Sequence, residues 1–145
     1  MTQFKDQSWS SRFNAMGDEA EAKFEEVYEN NFVRFGLCRP PIQMHKLSPF
    51  VRYTPDYLTS VSLVEVQGVG RDRKLKIKHD KAEALHEWND KFYLRFFIWD
   101  SHVKKHVMVD WLDMVNLIKS APTKTFPEGK AYYEIDLDEH VWLVT

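Results

Sequence analysis

The segment Phe92 to Asp100, FYLRFFIWD, most constrains how this chain can fold. A run this apolar does not suit a strand with one wet face and reads as a strand buried on both faces of a sheet. Along the chain the patterns run helix, strands, helix, strands, which predicts a mixed α/β domain. At 145 residues there is room for one ordinary domain, spanning 1–145. The 10 Phe, 6 Tyr and 5 Trp suffice to fill a core of that size.

The first fifteen residues are polar and are expected to be loosely ordered. From Gly17 to about Asn30 the spacing is helical, with Asp18 near the start and Ala20, Phe24 and Tyr28 on one stripe beside Val27. Pro40-Pro41 ends anything helical, and Pro49 opens the next segment. Phe50 to Tyr57 and Thr59 to Val69 read as strands. Lys74 to Lys78 alternates with period two, as an exposed strand or strand extension does. A helix is predicted from about His79 to Asn89, its apolar stripe made by Ala82, Leu85 and either Trp88 or His86. Val107 to Trp111 reads as the hairpin neighbour of the apolar strand and Trp111 to Ser120 as a short helix. Ala131 to Val144 has strand character twice, broken around Asp138-Glu139.

Composition removes several classes of function. A formal charge of −2 excludes a general polycation, so any nucleic-acid contact must come from a local patch. The single Cys38 excludes a disulfide framework and a cysteine-rich zinc module; it suits a reducing compartment and reads as a small buried residue. No stretch approaches about 18 apolar residues and Met1 to Ser11 is polar, so neither a membrane span nor a secretory signal is expected. The expected location is cytoplasmic. The histidines lack HExxH spacing, and His102 and His106 fall in a hairpin-like segment, so no metal is assigned to them.

Chemistry concentrates in Arg52 to Gln67, RYTPDYLTSVSLVEVQ. In an extended segment Val61, Leu63, Glu65 and Gln67 share one face, and Ser62, Val64 and Val66 the other. Glu65 lies in a run too apolar for a solvated strand and therefore needs a partner. Asp56 stands nine residues earlier, after Pro55 and before a turn at Thr59-Ser60. If Tyr53–Leu58 and Val61–Val66 form a hairpin, Asp56 comes opposite Glu65. Two carboxylates so paired make an oxygen-rich site for Mg²⁺ or Mn²⁺. The plainer alternative is a turn aspartate and a strand glutamate paired with a lysine.

Pro55-Asp56 followed by Glu65-Val66-Gln67-Gly68 resembles the PD-(D/E)XK nuclease superfamily, and Tyr53-Thr54-Pro55-Asp56-Tyr57 resembles phage Holliday-junction resolvases of the endonuclease I type. The order of elements is also similar to that of the archaeal junction resolvases. The resemblance covers roughly Gly17 to Asp100. It implies a restriction-endonuclease-like core of helix, three-stranded antiparallel meander, helix and further strand around a mixed central sheet. Residues 17–100 would form this core, and residues 101–145 a C-terminal elaboration. It implies Mg²⁺ or Mn²⁺ held by Asp56, Glu65 and the Val66 carbonyl. The family's third motif residue is usually Lys, whereas this chain has Gln67; Lys81, near the start of the following helix, is the preferred replacement, ahead of Lys78 and Lys76. The family also places a glutamate on the first helix. Among Glu19, Glu21, Glu25 and Glu26, Glu21 borders the inward stripe and is chosen as a ligand of a second metal or of a metal-bound water.

Arg71 to Lys81 holds six Lys/Arg against two Asp. Beside a carboxylate site, Arg71, Arg73, Lys74, Lys76 and Lys78 suit phosphate-backbone contact; alone, such lysines also guard a sheet edge. The expectation is a metal-dependent DNA endonuclease, implied by the resemblance to act on branched DNA as a homodimer, in a host cytoplasm if phage-encoded. Alternatives are a restriction, homing or repair enzyme on duplex DNA, or a catalytically inactive DNA-binding module. An unrelated interaction protein, with Asp56 and Glu65 structural, is the third.

Overall fold

The computed structural model describes residues 17–29, 31–37 and 43–140. Cys38, Pro40-Pro41, the polar start of the chain and the last part of the expected terminal strand lie outside the described residues. Helix α1 covers 17–28. Then follow β1 (Val33–Arg34), a one-turn helix α2 (Pro49–Arg52), β2 (Tyr57–Leu58), β3 (Leu63–Val69), β4 (Lys74–Lys78) and α3 (His79–Lys91). The remainder is β5 (Leu94–Asp100), β6 (Lys105–Asp110), α4 (Trp111–Ser120), β7 (Thr123–Thr125) and β8 (Ala131–Asp136). No helix of the described residues is long and apolar enough to cross a membrane.

The fold is α/β, with a mixed five-stranded sheet ordered β1-β2-β3-β5-β6 and a three-stranded sheet ordered β4-β8-β7. β5 lies beside β3 in parallel over seven residue pairs, from Leu63↔Leu94 to Val69↔Asp100. It is covered on both faces: Phe96 and Ile98 enter one core cluster, Phe97 and Trp99 the other. Phe92 and Tyr93, expected within this strand, precede it and are exposed. The larger cluster packs α3 and α4 on the sheet through Leu85, Trp88, Trp111 and Met114. Trp88, and not His86, completes the α3 stripe, because the Trp88 indole N–H donates to the Phe50 carbonyl at 2.9 Å. The smaller cluster packs α1 through Ala20 and Phe24. The C-terminal residues are part of the larger cluster, with Trp111, Met114, Leu117, Ile135 and Leu137 packed on the β3 and β5 side chains.

Two expectations about strands are corrected. Phe50 to Tyr57 is not one strand. Ser48 caps a helical turn by accepting the Val51 N–H and Pro49 starts it, a Ser-Pro arrangement that favours helix over strand. Phe50 then stacks on Trp88, ring centroids 4.3 Å apart. Nor does β4 complete an antiparallel meander on β3. The chain turns at Arg73, whose φ is 55°, and β4 pairs antiparallel with β8. That turn lets Leu75 and Ile77 bury fully beneath the second sheet, which an exposed extension of β3 would not allow.

Phe24 anchors the α1 face, with the rings of Tyr57 at 4.4 Å, Tyr28 at 4.8 Å and Phe97 at 5.3 Å. Phe24→Ala is expected to cost about 3–5 kcal/mol, as truncation of a fully buried aromatic does. Chemical denaturation checks this, and a loss below about 1 kcal/mol contradicts a close-packed face.

Candidate active site

β2 and β3 pair at Tyr57↔Val64 and Leu58↔Leu63, and the same register carries Asp56 opposite Glu65. The turn that sets it is held by Thr59. Its N–H donates to the Ser62 carbonyl at 2.8 Å, and its hydroxyl accepts the N–H groups of Val61 and Ser62. Beyond Val64 strand β2 no longer pairs with β3, and the Asp56 carboxylate takes over, accepting the Val66 N–H at 2.9 Å. Asp56 is clamped from behind: its own carbonyl accepts the N–H groups of Phe35 at 2.9 Å and Gly36 at 3.1 Å. A Cβ at Gly36 would stand 2.8 Å from the Pro55 carbonyl oxygen, closer than a side chain can sit against fixed backbone. Only glycine lets the loop approach this near.

Glu65 is 6% exposed and has the partner its burial requires. Lys81, from the first turn of α3, puts Nζ 2.8 Å from Glu65 Oε2. The same ammonium donates to Gln67 Oε1 at 3.3 Å, and Gln67 Nε2 donates to the Lys76 carbonyl at 2.9 Å. Burial pushes the Asp56 carboxyl well above the usual carboxylate range, and the Glu65 charge raises it further; the Val66 N–H and the Lys81 charge only partly offset this. For Lys81, burial pulls the ammonium down, but the charge and hydrogen bond of Glu65, with Asp56, outweigh it and hold the group above its ordinary value. The cluster thus carries two carboxylates and one buried cation. Its oxygen donors and their mutual repulsion suit a hard divalent ion.

Glu21 lies near the Asp56 side of this cluster, where its charge adds to the rise of the Asp56 carboxyl. It sits on α1, which packs Ala20 and Phe24 with Val64 and Val66. Its carboxylate is bound to Arg34 at 2.8 Å, and Arg34 also reaches Glu25 at 3.4 Å. Among the described residues no three His, Cys, Asp or Glu side chains group as a metal-holding set. Val66 contributes a defined contact through its N–H, to Asp56.

A cleft of about 620 Å³ opens beside the cluster, lined by Gln67 and Lys81 at one end and by Lys74, Lys76 and Lys78 along β4. The period-two spacing that buries Leu75 and Ile77 turns these three lysines to the other face. Lys74 Nζ is 2.8 Å from Asp136 and is held above its usual value by that contact. Arg73 does not join them. Its guanidinium is 12% exposed and bound to Asp100 at 2.7 Å and to Asp138, so its charge is used inside the fold. Its Nη2 is buried without a hydrogen-bond partner. Arg71 is exposed and outside the cleft lining.

Two cleft residues escaped the sequence reading. Tyr53 lines the Lys81 end, its hydroxyl 3.4 Å from Asp80; it stands within the motif, yet nothing local marks its orientation. Phe126 lines the cleft beside Lys78, brought there by the pairing of β8 with β4.

The raised Asp56 carboxyl makes the metal-free protein pH-sensitive. A folded-state value above the unfolded one contributes stability at low pH that is lost as pH rises through the folded value. Asp56→Asn, which keeps an acceptor for the Val66 N–H, is therefore expected to be more stable than wild type at about pH 8, the difference closing towards about pH 4. Denaturant titrations in chelator check the two slopes. A wild-type advantage that grows with pH contradicts the arrangement.

No family model matches this chain, and no curated protein matches it.

Proposed function

We propose that the chain is a metal-dependent DNA endonuclease of the PD-(D/E)XK kind, on a variant of the restriction-endonuclease-like core in which β4 leaves the meander to pair with β8, hydrolysing phosphodiester bonds. The observation that carries the reading is Lys81: a helix lysine reaches Glu65 at 2.8 Å and Gln67 at 3.3 Å, which supports it as the replacement for the motif lysine. The adjoining lysine-lined cleft supports phosphate binding.

Asp56, Glu65 and the Val66 carbonyl are the residues to hold Mg²⁺ or Mn²⁺. When bound, such an ion polarises a phosphoryl oxygen and lowers the pKa of a water. Lys81 offsets negative charge gathering on the phosphate, with its ammonium already oriented. Gln67 has its amide engaged at both ends, by Lys81 and the Lys76 carbonyl, so it acts as a positioning residue for Lys81 and not as a water ligand. Lys74, Lys76 and Lys78 carry the strand. Lys74 contacts Asp136 at 2.8 Å and Lys76 contacts Asp72 of the cleft lining at 3.7 Å, but these pairs are solvent-accessible and exchangeable. Arg73 is left out because its partner Asp100 is buried. The preference for branched DNA, the homodimer and the cytoplasmic site of action come with the sequence resemblance and are part of the proposal.

A labelled four-way junction and its matched duplex, incubated with Mg²⁺, Mn²⁺ or EDTA, test the reading. Cutting is expected only with metal and is expected to be abolished in Glu65→Ala. Lys81→Met is expected to lower the rate by about 10²–10³-fold, as loss of one charge-stabilising donor does. The ratio of junction to duplex cutting decides between a resolvase and a general endonuclease. Absence of cutting on both substrates overturns the catalytic reading. Salt-dependent, metal-independent binding unaffected by Asp56→Ala then identifies a noncatalytic DNA-binding module.

A further inference from the structure

The cleft beside the carboxylates has features that phosphate binding alone does not require. Its lining combines the β3 segment Gly68 to Gly70, the lysine row of β4 with Asp72, and an aromatic ring, Phe126. That ring is held firmly. The Phe126 N–H donates to the Lys130 carbonyl and the Gly129 N–H to the Phe126 carbonyl, both at 2.8 Å. Gly129 takes the φ of 93° that this tight loop needs. The Phe126 ring is stacked on Tyr132 at 4.0 Å, which leaves it half-buried at the cleft edge. Lys78 stands 5.8 Å from the Phe126 ring centroid, a loose seat that its flexible stem can leave.

We infer that this cleft takes one unpaired nucleotide of the DNA strand to be cut, its base against Phe126 and its phosphates along Lys74, Lys76 and Lys78. The inference deepens the nuclease reading and rests on it. A pocket of 620 Å³ lies in the range of sites that enclose a single small ligand. Same-face residues of a strand repeat at about 6.6 Å, a spacing suited to successive phosphates of an extended single strand. An aromatic face with neighbouring cations is the chemistry by which unstacked bases are held regardless of sequence. A base reaches Phe126 only by leaving the duplex, which costs least where the strand is already unpaired. Selection of branch points and single-stranded segments over continuous duplex then follows from the cleft, and a ring placed by the C-terminal hairpin supplies it.

The test uses the full chain in EDTA, so that binding is read without cleavage, and a single-stranded oligonucleotide carrying a fluorescent aminopurine base beside its matched duplex. Stacking on Phe126 is expected to change the fluorescence of the single strand but not of the duplex. Phe126→Ala is expected to weaken single-strand binding about tenfold, in keeping with one lost base stack, while duplex binding moves by less than about twofold. Phe126→Trp, which preserves an aromatic face, is expected to restore both affinity and signal. Equal losses for Ala and Trp, or a Phe126→Ala protein that binds the single strand as wild type does, overturn the inference. A wild type that cuts DNA with Mg²⁺ but gives no aminopurine response overturns the pocket and keeps the nuclease. A response without any cutting does the reverse.

Discussion

The parallel pairing of β3 with β5 is the constraint from which the remaining arrangement follows. Parallel neighbours cannot be joined by a tight turn, so the chain must leave the end of β3, cross a face of the sheet and re-enter at the start of β5. Here α3 makes that crossing, after the detour through β4, and packs Ala82, Leu85 and Trp88 on the sheet. The first turn of α3 consequently lies over the face of β3 that carries Glu65 and Gln67. Lys81 meets Glu65 because the crossover has one practical route over the sheet.

That encounter solves a local electrostatic problem. A carboxylate within the core of β3 is costly unless paired, and Lys81 supplies both the charge and the hydrogen bond. Asp56 remains the unrelieved member, with burial and the Glu65 charge both disfavouring its ionised form. It stays in place through backbone contacts: its carboxylate on the Val66 N–H, its carbonyl under Phe35 and Gly36. The scaffold thus holds Asp56 where the Glu65 charge opposes its ionisation. Arg34 gathers Glu21 and Glu25, which offsets part of the negative charge that α1 brings towards Asp56.

Much of this was legible in the residues and some was not. The hairpin register followed from Pro55-Asp56, the Thr59-Ser60 turn and the alternation in VSLVEVQ, all short-range features. The burial of FYLRFFIWD followed from its composition. Phe50 to Tyr57 was misread because Ser48-Pro49 signals a helix start, and a helical turn there prevailed over strand propensity. Glu21 was placed by periodicity on the inward border of α1, correctly as to stripe. Periodicity carries no information about the partner Glu21 finds there, Arg34 from β1. Arg73 and the three lysines look alike in a basic run; only the turn with a positive φ separates an arginine bound to Asp100 from lysines lining a cleft.

What the sequence determined by itself was therefore local and periodic: the α/β class, the central strand, the opposition of Asp56 and Glu65, and a lysine early in the next helix. Those features depend on residues within a few positions of one another and on spacings of two and about 3.6. The tertiary structure decided everything that needed distant segments to meet. Pairing of β4 with β8 set the lysine row against Phe126, a salt bridge joined Glu21 to Arg34, and the crossover delivered Lys81 to Glu65. Long-range pairing is chosen by which apolar faces can be buried together, a property of the whole chain that no window of it contains.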